Sequence, residues 1–134
     1  IRTPAISQLA SCVAALQSVR EWLLPVQRNI GDEVGVVAEG RDMGTRVFPS
    51  ADVKFFLDAD LGVRASRRQQ EFAQKGNTIQ LKTVQDDMSV RDDRDRTRRV
   101  DPLRPALEAI MIDTSRQSVE DVVGHMMNII ADRL

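Results

Sequence analysis

Short apolar runs rich in β-branched or aromatic residues occur at 34–38, 53–57 and 109–112, and they alternate with stretches of helical character. Runs of that length bounded by turn formers read as buried strands. Strands separated by helices imply a parallel sheet with crossovers, so the alternation predicts an α/β fold with helices flanking that sheet.

The helical stretches carry their own start and stop signals. Thr3 can cap a first helix and Pro4 fits its first position, and Ile6, Leu9, Cys12, Val13 and Leu16 follow helical spacing. A second helix is expected from Ser18, where Ser18 and Glu21 suit a capping box, to about Ile30. Pro25 should bend or shorten it and Gly31 should stop it. A third should run from after Asp58 to Gln74 and end at Lys75-Gly76-Asn77. A charged helix covers 78–98 and stops near Asp101-Pro102. Ser118 with Asp121 opens a closing helix that carries Val122, Met126, Ile129 and Ile130 on one face.

With 134 residues, 42% of them apolar, and a net charge of -1, the sequence suits one domain with a modest core. No internal repeat or low-complexity linker divides it. Its apolar runs are strand-sized and no basic-then-apolar leader is visible, so no membrane partner is expected and the cytoplasm is the expected location. Cys12, the single cysteine, cannot form an internal disulfide, in agreement with a reducing compartment.

Sixteen arginines against three lysines favour fixed, bidentate recognition of phosphate and carboxylate, although a GC-rich genome gives the same bias. Placement is therefore more informative than number. In Glu39-Gly40-Arg41-Asp42-Met43-Gly44-Thr45, glycines flank an Arg-Asp pair where a strand should end. One turn can then present a donor fork beside a carboxylate, and a solvated surface loop is the competing reading. Arg91, Asp95 and Arg98, at i, i+4 and i+7, share a helix face that can hold an anion and accept from a sugar hydroxyl. They also fit a solvated helix laced with ion pairs. Arg64, Arg67 and Arg68 share another face, which suits either a polyphosphate clamp or a solubilising surface. His125 and Cys12 lack partners in the sequence that would give them chemistry.

The order of these pieces carries more than any one of them. A short Ile1-Arg2-Thr3 lead into a helix comes first, followed by the Ala38-to-Thr45 turn, Phe48-Pro49 and the strand end Phe56-Leu57-Asp58-Ala59. The arginine helix and Arg91-Asp92-Asp93-Arg94-Asp95-Arg96 with Pro102-Leu103 complete the series. In this order and spacing they resemble the bacterial cytidylate kinases, over essentially the whole chain.

The resemblance implies a P-loop nucleoside-monophosphate-kinase fold and transfer of the γ-phosphoryl group of ATP to CMP or dCMP with Mg²⁺. It implies that Ser11, Arg20 and Asp42 read the cytosine edge, that Arg41 and Arg98 contact the CMP phosphate, and that Arg91 and Asp95 lie near the ribose. Arg64, Arg67 and Arg68 correspond to lid arginines over the donor phosphates, within a lid-like region of about 61–99. Arg41, Arg67 and Arg98 are then the residues closest to catalysis. Nucleic acid is not an expected partner, and the full-length enzyme is expected to be a monomer.

One family feature is missing from this sequence. No glycine is followed by Lys-Ser or Lys-Thr, so the Gly-x-x-Gly-x-Gly-Lys loop that cradles donor phosphates is absent and the chain matches the C-terminal part of a kinase. In the family's sheet, the strand ahead of that loop lies between the strands expected at 34–38 and 53–57. The resulting gap predicts repair by direct pairing of those strands or by a second chain, and an inactive fragment. The alternative reading is a noncatalytic arginine-rich module for nucleic acid or protein, against which the near-neutral charge weighs.

Overall fold

The computed structural model of the protein describes residues 4–33 and 35–133. Among the described residues five α-helices and two strands follow one another as α1 (Pro4–Val13), α2 (Gln17–Glu33), β1 (Phe55–Asp58), α3 (Leu61–Gln74), α4 (Leu81–Thr97), β2 (Ile110–Asp113) and α5 (Val119–Ala131). A single π-helical turn, Met43–Val47, lies between α2 and β1. The chain divides into two compact units, 1–50 with 91–104 and 51–90 with 105–134.

In the second unit, β1 and β2 pair in parallel, with Phe55 opposite Ile110 and Asp58 opposite Asp113. The pairing is extended by Ile110 N–H donating to the Lys54 carbonyl and Thr114 N–H to the Asp58 carbonyl, each at 2.8 Å. Ala65 and Phe72 are two turns apart on α3 and therefore share a face; with Val84 of α4 they form the apolar core, and Ile79 and Met88 pack against it. Gly76 ends α3 by taking a left-handed conformation, φ +78°. Its N–H donates to the Ala73 carbonyl and that of Asn77 to Phe72, each at 2.9 Å, which satisfies carbonyls the helix leaves open. The expected capping box of α5 is present, with Ser118 accepting from Asp121 N–H and Asp121 accepting from Ser118 N–H.

The first unit holds α1, α2 and the π-helical turn. Val47 is its one buried apolar residue among those described, and Ser11, Asp42, Asp92 and Asp95 are buried with it. Here α2 departs from the expected limits. It begins at Gln17, which places Ser18 inside the helix, and Gln17 Nε2 bonds Glu21 Oε1 at 2.6 Å instead of a Ser18–Glu21 box. It then runs through Pro25 and Gly31 to Glu33. Gly31 is a packing site: a Cβ there would lie 2.5 Å from Phe48 Cε1, so its missing side chain admits the Phe48 ring.

The strand expected at 34–38 does not form. Residue 34 lies outside the described residues, and 35–39 belong to no helix or strand, with Val37 fully exposed. A strand exists only where a neighbour completes its ladder, and among the described residues the sheet consists of β1 and β2 alone. Repair by direct pairing of 34–38 with 53–57 is therefore not what the chain adopts. Two other limits shift modestly: the charged helix is Leu81–Thr97, not 78–98, and the last strand ends at Asp113.

Candidate functional site

The turn that the sequence marks as ligand-reading is built around the Asp42 carbonyl, which accepts from the N–H groups of Thr45, Arg46 and Val47 at 3.3, 2.8 and 3.3 Å. Bonding of one carbonyl to donors up to five residues on makes the π-helical turn, a geometry common at functional sites. Arg28 of α2 fastens its far end, donating from Nε to the Val47 carbonyl at 3.0 Å and from Nη2 to that of Arg46 at 2.8 Å. Gly40 is needed for its lack of bulk, since a Cβ would approach Met43 Cγ and Cε to 2.9 Å.

So fixed, the turn turns Asp42 inward onto two arginines. Arg20 Nη2 donates to Asp42 Oδ2, while its Nη1 meets the Ala14 carbonyl at 3.2 Å and its Nε meets Asp101 Oδ2 at 3.1 Å. Arg98 lies with Nη2 3.9 Å from Asp42 Oδ1 and Nη1 3.9 Å from Asp95 Oδ1. Arg41 reaches Asp95 at 3.3 Å and Asp92 at 3.9 Å, and Arg91 reaches Asp95 at 3.8 Å. Ser11 Oγ accepts from Arg94 Nη1 at 3.1 Å. All seven residues assigned by resemblance to the acceptor nucleotide thus fall in one unit. Arg20, Arg41, Asp42, Arg91, Asp95 and Arg98 are linked ion to ion, and Ser11 is tied to the same α4 segment through Arg94.

The linkage is close but not saturated. The Arg98 side chain is 6% exposed and that of Asp95 5%, yet Arg98 Nη2 and Asp95 Oδ2 are buried without a hydrogen bond. Burial, joined by the neighbouring charge of Arg20, lowers the Arg98 pKa; Asp42, Asp95 and Asp101 act in the opposite direction. A buried donor left open beside loosely placed carboxylates is a ready partner for an oxyanion, because an unmade hydrogen bond there costs more than a made one returns.

The three arginines of α3 lie in the other unit, and their guanidinium groups take separate partners. Arg64 Nε donates to the Ala59 carbonyl at 2.8 Å. Arg67 donates to the Thr114 carbonyl at 2.6 Å and to Thr114 Oγ1 at 3.1 Å. Arg68 pairs with Glu71 at 2.7 Å and lies over the Phe72 ring, 4.7 Å from its centroid. A cavity of about 300 Å³ opens at the carboxyl ends of β1 and β2, lined by Asp58, Asp60, Asp113 and Ser115 among others. Open α/β sheets bind ligands at such ends, but this carboxylate-rich lining by itself repels phosphate.

Asp92, Arg94 and Asp101 join the network although the sequence reading assigned none of them a binding role. Asp92 and Arg94 were hidden in a near-continuous charged run, 91–99, in which every residue but Thr97 is charged. Asp101 had one available sign, an aspartate directly before proline just past the end of a long charged helix.

A family model of cytidylate kinases matches residues 1–132. The chain belongs to the cytidylate kinase family. It is 48% identical over 128 residues to the cytidylate kinase of Oleidesulfovibrio alaskensis, covering 96% of this chain and 58% of that protein. With the cytidylate kinase of Erwinia tasmaniensis it shares 44% over 134 residues, all of this chain and 59% of that one. The bifunctional pantoate ligase/cytidylate kinase of Synechocystis is 46% identical over 124 residues, 92% of this chain and 24% of that protein. The chain therefore spans somewhat over half the length of the single-function relatives. Its α/β architecture, with a short parallel sheet and flanking helices, is that of a P-loop nucleoside-monophosphate kinase.

Proposed function

We propose that this chain supplies the acceptor-nucleotide site of a kinase that transfers the γ-phosphoryl group of ATP to CMP or dCMP, giving ADP and the cytidine diphosphate. The observation that carries the reading is the buried Arg20–Asp42–Arg98 linkage, in which a base-sized carboxylate–guanidinium pair adjoins an arginine with an open donor. Asp42 accepts from the exocyclic amino group of cytosine, and Arg20 and Ser11 donate to acceptors of the ring. Arg41 and Arg98 hold the acceptor phosphate and Arg91 and Asp95 the ribose. Phosphoryl transfer asks little of a protein beyond positioning and neutralisation of charge, which fixed guanidinium groups provide.

Arg64, Arg67 and Arg68 act as lid arginines toward the donor phosphates, in a lid-like region of about 61–99. Among the described residues no group of three or more His, Cys, Asp or Glu could hold a metal ion. Mg²⁺ would arrive on the donor phosphates. Without a Gly-x-x-Gly-x-Gly-Lys loop in its sequence, the chain by itself transfers no phosphoryl group.

Calorimetric titration with CMP, UMP and a random oligonucleotide tests this reading. CMP should bind in preference to UMP, and Asp42→Ala should weaken CMP by roughly 10- to 100-fold, as expected for loss of a charged hydrogen-bonding group. Salt-dependent binding of the oligonucleotide with no response to CMP would instead favour a noncatalytic module. ADP release from ATP and CMP at a rate typical of kinases would overturn the claim that the chain is inactive alone.

A further inference from the structure

Asp101 is the one non-glycine residue with positive φ, +46°, among those described. The left-handed region is uncommon for side chains other than Asn and Asp, and such outliers gather where surroundings over-determine them. Here the surroundings are the acceptor arginines. The Asp101 carboxylate accepts from Arg20 Nε at 3.1 Å and lies 3.8 Å from Arg46 Nε, while its carbonyl accepts from Arg98 Nε at 2.7 Å. One residue thus grips two arginines by their inner nitrogens and leaves their outer nitrogens directed at the two sides of Asp42.

We propose that Asp101 is a positioning residue for acceptor specificity: it holds the Arg20 fork against Asp42 through its carboxylate and aims Arg98 through its carbonyl. The inference rests on the CMP reading above and adds to it the residue that keeps the cytosine-reading pair in register. Arg20 has one donor on Asp42, one on the Ala14 carbonyl and one on Asp101. Removal of the last leaves the guanidinium held at its outer nitrogens alone, by Asp42 and by the Ala14 carbonyl at 3.2 Å, with nothing on Nε to fix the plane of the fork. The carbonyl grip on Arg98 depends on the backbone alone and survives any substitution that keeps the left-handed conformation.

The two grips can be separated. Asp101→Gly keeps the backbone conformation and removes the carboxylate; Asp101→Asn keeps the conformation and a neutral acceptor. Equilibrium titration of this chain with CMP and with UMP should show the CMP-over-UMP preference falling about tenfold in Asp101→Gly, with UMP affinity little changed, and returning to within about threefold in Asp101→Asn. In arginine Nε–Hε spectra without nucleotide, slow solvent exchange of the Arg20 proton should be lost in Asp101→Gly while that of Arg98 remains. A purely structural role would weaken both nucleotides equally and expose both protons. If the unsubstituted chain prefers CMP and Asp101→Gly retains that preference, or the Arg20 proton stays protected, the role of Asp101 is refuted and the CMP reading stands. If the unsubstituted chain does not distinguish CMP from UMP, the reading falls and this inference with it. Should Asp101→Gly fail to fold, Asp101→Asn decides alone: the role requires its Arg20 proton to remain protected, and exchange at the solvent rate would exclude it.

Discussion

The two units of the molecule are held together by opposite means. Every buried polar residue described, Ser11, Asp42, Asp92 and Asp95, lies in the unit formed by 1–50 and 91–104, which buries one apolar side chain, Val47. The remaining buried apolar residues, Ala59, Ala65, Phe72, Val84, Ile112 and Val122, all lie in the other unit. Apolar burial stabilises without regard to direction, whereas a buried ion is tolerable only in the geometry that satisfies it. One unit is thus a scaffold, and the other an arrangement whose stability and recognition depend on the same side chains.

The largest expected effect sits in the ionic unit. Arg98→Ala should cost about 3–5 kcal/mol in urea unfolding, because it leaves Asp42 and Asp95 buried short of a counter-charge. A loss under about 1 kcal/mol would mean that the buried ions are dispensable there. In the apolar unit Phe72→Ala should cost about 3–4 kcal/mol, but Phe72→Leu only about 1, since a core accepts a similar hydrophobic volume. Equal penalties for the two Phe72 variants would blur the contrast.

Gly31→Ala sets two effects against each other. Alanine improves the helix by about 0.5–1 kcal/mol, while its Cβ would lie 2.5 Å from the Phe48 ring, an overpacking that costs about 1–3 kcal/mol. A net loss of roughly 1 kcal/mol should appear in thermal melts, and a gain would show that Phe48 moves aside freely. The smallest effect is at the start of α5, where Ser118→Ala should cost about 1 kcal/mol through loss of the cap. Hydrogen bonds from the Ser118 hydroxyl and N–H hold the Asp121 carboxyl below its usual pKa. Its share of stability is therefore complete above the unfolded value of about 3.9 and is lost as pH falls through the lower folded one. Melting curves of the wild type and Asp121→Asn should converge in that acidic window and stay apart at neutral pH.

Locally encoded features were legible in the sequence. The Gly76 stop, the Ser118–Asp121 box and the parallel relation of the strands all follow from residues close in sequence or from chain connectivity. Features that depend on a distant partner were not. Residues 35–39 have the composition of a strand and no ladder to join, and Gly31 is a helix stop by type but a seat for Phe48 by contact. The site divides in the same way. The helical spacing of Arg91, Asp95 and Arg98 announced a shared face, whereas Asp101 is recognisable only once its unusual backbone conformation and the distant Arg20 are seen together.

The β1–β2 pairing also bears on the order in which the second unit assembles. Phe55 meets Ile110 across 55 positions of chain, a closure whose length-dependent entropy is about 3.5 kcal/mol before any strand contact compensates it. The core of Ala65, Phe72 and Val84 closes over fewer than 20 positions. Folding should therefore begin with the α3–α4 pair, and the sheet should form last, on a template the helices have already made.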